Sequence, residues 1–139
     1  MRSIFCVTIA AALCAHAASA QTAPPACFGD MATVRISQIK PGGTLQGFLK
    51  AVEAHKAWYR SNGISDNDIV AARVLVRDEK TGLPVKYSET EVMSFHLRPP
   101  VASRTPNRND AAWEAFVRQY RDNSDLKSEY WTCIPRFKY

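Results

Sequence analysis

Residues 31–63, MATVRISQIKPGGTLQGFLKAVEAHKAWYRSNG, decide the fold. The first nine alternate between apolar and polar side chains, which predicts a strand from Met31 to about Ile39. The Pro-Gly-Gly run at 41–43 ends this strand, and Thr44 then caps a helix that runs to about Ser61. The apolar positions of this helix fall on one face, as expected for a helix that packs on a sheet: Leu45, Phe48, Leu49, Val52 and Tyr59.

The rest of the chain supplies one more helix and three more strands. Alternating segments predict strands at 69–77 and 89–98, joined by a hairpin connection, and a last strand at 126–133. A second helix begins with Asn109 or Asp110 as its cap and ends near Asn123. The order β-α-β-β-α-β is the ferredoxin-like arrangement of the α+β class, a four-stranded antiparallel sheet with both helices on one face.

The length and composition fit one domain. A chain of 139 residues is too short for two ordinary domains. Its hydrophobic fraction of 46% and charged fraction of 22% argue against a disordered, collagen-like or coiled-coil chain. We expect one ferredoxin-like domain at 31–134, with an N-terminal tail at 21–30 and a C-terminal tail at 135–139.

The first 20 residues are typical of a secretory signal peptide. Arg2 precedes an uncharged apolar stretch from Ile4 to Ala15, and Ala18-Ser19-Ala20 supplies the small residues that signal peptidase requires. The stretch is too short to span a bilayer comfortably. We therefore expect a cleaved, periplasmic or secreted protein without membrane attachment. Its net charge is +4 once Arg2 has left (18 − 1 − 13).

The cysteines predict one disulfide bond. Cys6 and Cys14 leave with the signal peptide, so the mature chain keeps Cys27 and Cys133. An even pair in an exported protein most simply forms a disulfide, and the lack of a Cys-x-x-Cys motif argues against a redox pair. In the ferredoxin-like topology the first strand starts beside the end of the last strand, which is where these two cysteines fall.

One face of the predicted sheet carries no helix. We expect the more apolar side chains of each strand to face the helices, which leaves a mixed set on the helix-free face: Thr33, Arg35, Ser37, Ala71, Arg73, Leu75, Val92, Ser94 and His96. An exposed face with apolar members usually has a partner. Two such sheets packed face to face would form a barrel with a partly polar interior.

Four short runs resemble the first half of the dimeric α/β-barrel superfamily: Val34-Arg35-Ile36, Lys40-Pro41-Gly42, Phe48-Leu49-Lys50-Ala51-Val52 and His55-Lys56-Ala57-Trp58-Tyr59. Members of this superfamily are small ferredoxin-like chains that pair through their sheets. The resemblance therefore implies a homodimer formed through the sheet face. Because the superfamily includes cofactor-independent monooxygenases and haem-handling enzymes, it does not fix the activity. Haem-degrading members place a histidine on the second helix, and the predicted second helix contains none.

His96 is the best candidate for a functional residue. It lies on a central strand and, by alternation, on the helix-free face together with two arginines. Arginine presents a planar fork to a carboxylate or enolate, and histidine exchanges protons near neutral pH. Four residues are therefore predicted to form a ligand-binding group: Arg35, Arg73, Ser94 and His96. Alternatively, the arginines pair with Glu91 or Glu129 and His96 lines a dimer interface.

His55 is the second catalytic candidate. It lies on the predicted first helix beside Trp58 and Tyr59, where it could line the mouth of a cavity. Alternatively, its ring forms a hydrogen bond with a backbone carbonyl at the edge of the helix and has no functional role. Tyr130 and Trp131 alternate on the last strand, so one of them should face the cavity.

Several chemistries find no support in the sequence. Asp66-Asn67-Asp68 lacks the ligand spacing and the glycine of an EF-hand, and no zinc-protease, P-loop, dinucleotide-binding or hydrolase motif occurs. We expect no metal and no cofactor. The charges are interspersed without a basic cluster, so we expect no nucleic acid partner, which disfavours a nuclease that uses His55 and His96.

These observations favour an exported protein that binds a small anionic or aromatic molecule in a cavity on the helix-free sheet face. One alternative is a cofactor-independent oxygenase or isomerase that uses the same cavity, with His96 or His55 as the base. Another is a protein-interaction module whose open sheet face receives a different partner.

Overall fold

The computed structural model describes residues 26–100 and 106–135 and follows the predicted order of elements. Its strands and helices are β1 (Gly29–Ile39), α1 (Leu45–Ser61), β2 (Asp68–Arg77), β3 (Pro84–Leu97), α2 (Ala111–Asn123) and β4 (Ser124–Pro135). The predicted ferredoxin-like α+β fold is confirmed. The signal peptide predicted at 1–20 lies outside the described residues. Neither described helix is long and apolar enough to cross a membrane.

The four strands form one antiparallel sheet in the order β2-β3-β1-β4. The first and last strands are neighbours, as the topology predicts, and Met31 lies opposite Cys133 in their register. The predicted bond between Cys27 and Cys133 is present. It joins the segment before β1 to the end of β4, so the two ends of the domain are covalently fixed to each other.

The helix caps follow from the sequence. The side chain of Thr44, with an extended backbone, accepts a hydrogen bond from the backbone N–H of Gly47. Of the two candidate caps for α2, Asp110 takes the role and accepts from the N–H of Trp113 at 2.6 Å. Asn123, at the end of α2, accepts from the N–H of Thr44 at 2.9 Å. A Cβ at Gly47 would overlap the Asn123 side chain, so the glycine permits this close approach of α2 to the start of α1.

The prediction of which strand side chains face the helices is wrong. Directly opposed residues on neighbouring antiparallel strands share a face, and His96 lies opposite both Thr33 and Ile69. The centre of the His96 ring is 5.6 Å from that of His55 on α1. The set that contains His96 therefore faces the helices, and the predicted ligand-binding group does not lie on the helix-free face.

The helix-free face carries the apolar set instead. The register places these side chains together on it: Val34, Ile36, Val70, Ala72, Met93, Phe95 and Leu97. Tyr130 lies opposite Val34 and shares this face, whereas Trp131 lies opposite Thr33 on the helix-facing side. The face left without a helix is thus the more apolar side of the sheet.

The outer parts of β2 and β3 form a two-stranded arm. β1 pairs with β3 only as far as Glu91, so residues 84–90 of β3 pair with β2 alone. The register shifts where the arm begins, since Arg73 lies opposite Val92 but Leu75 lies opposite Tyr87. The arm therefore extends past the four-stranded part of the sheet.

Candidate functional site

The second helix packs mainly on the first helix and makes few contacts with β4. The Trp58 indole N–H donates to the Asp110 carboxylate at 2.8 Å, which fixes the start of α2. The Trp58 and Trp113 rings lie 4.7 Å apart, and the His55 and Phe116 rings stack at 4.3 Å with 14° between their planes. Because these contacts hold α2 on α1, a space remains between α2 and the β1 and β4 side of the sheet.

This space is a cavity of about 440 Å³. Its walls are largely aromatic and aliphatic: Phe48, Ile69, Trp113, Phe116, Val117, Tyr120 and Leu126. Polar groups are set among them: Arg35, Ser37, His55, Ser94, Arg121, Ser124 and Asp125. A concave, mainly apolar space with a few polar groups is the usual form of a small-molecule site.

His55 is the most unusual group in the wall. It is only 7% exposed, and its ring lies between those of Phe116 and Tyr59, the latter at 5.0 Å with 24° between the planes. Its Nε2 is buried and has no hydrogen-bond partner within the described part of the chain. Buried polar atoms without a partner are rare in native proteins and need an explanation.

Burial also changes the protonation of His55. Loss of water around the ring is the main cause that lowers its pKa to about 3, and the nearby His96, Arg35 and Arg108 add to the effect. The imidazole is therefore neutral at physiological pH. It offers a ligand one polar nitrogen without a formal charge.

His96 lies beside His55 and is held by Asn67. The Asn67 amide nitrogen lies 3.2 Å from Nε2 of His96, and both residues are buried. If the amide donates, Nε2 accepts and the ring proton of His96 is on Nδ1. Burial, followed by the charges of Arg35 and Arg108, lowers the pKa of His96 to about 4. The structure thus brings together two neutral imidazoles that the sequence places on separate elements.

Arg35 supplies a positive charge at the cavity. Its Nε donates to the Glu129 carboxylate at 2.5 Å, so the alternative pairing with Glu129 is confirmed for this arginine. The Nη groups of Arg35 have no partner among residues 26–100 and 106–135. Of the predicted ligand-binding group, Arg35 and Ser94 line the cavity, and His96 lies behind it against His55 and Tyr59.

Arg73 does not join this group. It lies where the β2–β3 arm begins, and its guanidinium sits 4.1 Å from the centre of the Tyr87 ring. Trp131 is on the helix-facing side but, like Tyr130, is not part of the cavity wall.

The sequence reasoning missed the contribution of α2. Phe116, Val117 and Tyr120 follow helical spacing, which predicts a buried stripe but does not distinguish a filled core from a cavity wall. Tyr120 is largely enclosed, and burial raises the pKa of its hydroxyl. No group of three or more His, Cys, Asp or Glu side chains is placed to hold a metal ion in the described ranges.

Comparisons with known proteins give little further information. No protein-family model matches the chain, and no curated protein matches it. Among solved structures, SnoaB, a cofactor-independent oxygenase from Streptomyces nogalater, is similar with a TM-score of 0.45 and 10% sequence identity. The match covers 78% of this chain and 96% of that chain. A similarity of this degree carries no argument about function.

The two buried histidines should make stability depend on pH. Their folded pKa values, about 3 and about 4, lie below the ordinary value of 6.5. As pH falls below about 6.5, the unfolded chain therefore binds protons that the folded chain does not, and the free energy of unfolding decreases. With both histidines contributing, the slope of the free energy of unfolding against pH approaches about 2.7 kcal/mol per pH unit. Urea unfolding between pH 5 and pH 7 measures it.

The matched variant for this experiment is His55→Gln, which removes one of the two titrating groups. Its slope over the same range should be about half that of the wild type, and His96→Gln should behave alike. Equal slopes in the wild type and both variants would contradict the lowered pKa values.

Proposed function

We propose that this protein binds a small, largely apolar or aromatic molecule in the cavity between α2 and the sheet. The observation that carries the proposal is the buried Nε2 of His55, which has no partner in the described part of the chain, on a residue that lines a cavity of about 440 Å³. Ligand sites of about 300–1,000 Å³ are common in proteins. The size and the lining of the cavity suit a molecule of one or two rings.

The energetics favour an occupant. A buried polar atom without a hydrogen bond costs about 1–3 kcal/mol, and a ligand group that bonds to Nε2 recovers part of this cost. Aromatic side chains of the cavity wall, among them Phe116 and Trp113, offer stacking surfaces to a planar molecule. Arg35 adds a positive charge for a ligand with an anionic substituent.

The same electrostatics make binding a better explanation than catalysis. A general base is most effective when its pKa lies near the working pH. The pKa of His55 lies at about 3, so the empty site holds a weak base at neutral pH. The positive charge of Arg35 contributes to this shift, although burial is its main cause.

A cofactor-independent oxygenase or isomerase is the second candidate function. It is favoured by two neutral imidazoles 5.6 Å apart beside the Arg35 guanidinium. In such an enzyme Nε2 of His55 would accept a proton from a substrate carbon, and Arg35 would stabilise the enolate that remains. Turnover of a carbon acid with a pH–rate profile set by a histidine, and lost in His55→Gln, would favour this function over simple binding.

We also propose that the protein is exported and works as a homodimer. The Cys27–Cys133 disulfide supports an oxidising compartment such as the periplasm or the extracellular space. The side chains of the helix-free face, which include Val34, Ile36 and Phe95, form one apolar surface. A second copy of the chain offers the same apolar surface, so pairing of the two faces would remove both from water.

The ligand proposal predicts a specific effect of His55→Phe. Phenylalanine keeps the ring stack but removes Nε2, so 1-naphthol should bind about three- to tenfold more weakly, as expected for one neutral hydrogen bond. Naphthalene, which lacks the hydroxyl, should bind the wild type and the variant equally. Quenching of tryptophan fluorescence measures both affinities.

Two further results keep this test decisive. Val117→Trp should abolish binding of both compounds because the larger side chain fills the cavity. If His55→Phe loses stability but keeps the wild-type affinity for 1-naphthol, His55 has only a structural role and the proposal fails.

The dimer proposal predicts the mass of two chains in a native mass spectrum at micromolar concentration. Phe95→Glu places a charge on the helix-free face and should yield the monomer. Lys50→Glu, on the exposed side of α1, should leave the dimer intact. A wild-type protein that is monomeric under these conditions would contradict the proposal.

A further inference from the structure

A second, more open depression of about 300 Å³ lies along α2. We call it the arginine depression, and its lining is Arg108, Trp113, Glu114, Val117, Arg118 and Arg121. Trp113, Val117 and Arg121 also line the cavity described above. The two spaces therefore share an edge, which these three side chains of α2 form.

Positive charge dominates the arginine depression. It holds three guanidinium groups and one carboxylate, that of Glu114. None of the three arginines forms an ion pair in the part of the chain that the structure describes, and Arg108 lies 5.0 Å from the centre of the Trp113 ring. Arg35 and Arg98, by contrast, pair with Glu129 and Asp30. Unpaired guanidinium groups are well suited to sulfonate, phosphate or carboxylate oxygens.

The charge of the depression extends into the cavity. Burial is the main cause of the lowered pKa values of His55 and His96, and Arg108 contributes to both. Arg108 also opposes the effect of burial on the Tyr59 hydroxyl, whose pKa is raised overall.

We infer that the ligand is an anionic amphiphile: its apolar or aromatic body occupies the cavity, and its anionic group binds Arg108, Arg118 and Arg121. This inference rests on the proposed function and adds the chemical class of the ligand. Arg35 is a less suitable anchor for the anionic group because its guanidinium already pairs with Glu129. The three arginines of the depression carry no such pair in the described ranges.

Two fluorescent probes that differ by one group test the inference. N-phenyl-1-naphthylamine and 8-anilino-1-naphthalenesulfonate share the aromatic body, and only the second carries a sulfonate. The wild type should bind the sulfonate about tenfold or more tightly, and rising salt should weaken binding of that probe alone. The double variant Arg108→Gln/Arg118→Gln, at two residues of the depression that lie outside the cavity wall, should lose most of this preference and keep the wild-type affinity for the neutral probe.

Arg60→Gln is the control for a general loss of positive charge, since Arg60 is an exposed residue of α1 outside the depression. If the neutral probe binds and the double variant keeps the preference for the sulfonate, the inference fails and the proposed function stands. The inference also fails if Arg60→Gln loses the preference to the same extent as the double variant. If the neutral probe does not bind the wild type, the proposed function fails, and the inference fails with it.

Discussion

The second helix is held by the first helix more than by the sheet, and the rest of the site depends on this arrangement. The stack of Phe116 on His55, the contact of Trp113 with Trp58 and the bond from Trp58 to Asp110 fix α2 and its cap to two residues of α1. Aromatic pairs of this kind contribute about 0.5–1.5 kcal/mol each beyond the burial of their surface. Because α2 is held by α1, the sheet beneath it is not fully covered, and a cavity remains instead of a filled core.

The side chains beneath α2 are more polar than a simple core requires. Thr33, Ser37, Ser94 and His96 are buried on the helix-facing side of the sheet. A core selected only for stability would place aliphatic side chains there. The buried histidines remain neutral, and His55, which lines the cavity, keeps a buried nitrogen without a partner in the described part of the chain. Burial keeps the two imidazoles neutral, which destabilises the fold at acidic pH. One of them, His55, also gives the cavity a polar group that a ligand can bind.

Much of the fold can be predicted from the sequence, because alternation, helical spacing, turn residues and cysteine placement all agree on one topology. The element order, the strand neighbours and the Cys27–Cys133 bond follow from these signals. Alternation divides a strand into two sets of side chains but does not say which set faces the helices. Here the more apolar set, with Val34 and Phe95, faces away from them. The usual rule fails because a cavity with several polar groups lies on one side of the sheet and an apolar surface without a helix on the other.

The site itself is only partly predictable for the same reason. His55, His96, Arg35 and Ser94 are all candidates in the sequence, but the predicted face assignment puts the last three on the side of the sheet away from His55. In the structure all four lie on the helix-facing side. Arg73 alternates with the correct set, but it lies at the end of the four-stranded part of the sheet, next to the register shift before Leu75. That shift leaves no signal in the sequence. The contribution of α2 depends on how far that helix lies from the sheet, which is a property of packing that no local pattern encodes.

The most direct test of the account is a nitrogen-15 NMR spectrum of the His55 ring at neutral pH, recorded free and after saturation with 1-naphthol. His55 should be a neutral imidazole in the free protein, and its Nε2 resonance should shift markedly when 1-naphthol binds. Naphthalene should leave that resonance close to its free position. A protonated His55, or an Nε2 resonance that stays in place while 1-naphthol is bound, would contradict the claim that this nitrogen is the polar anchor of the cavity.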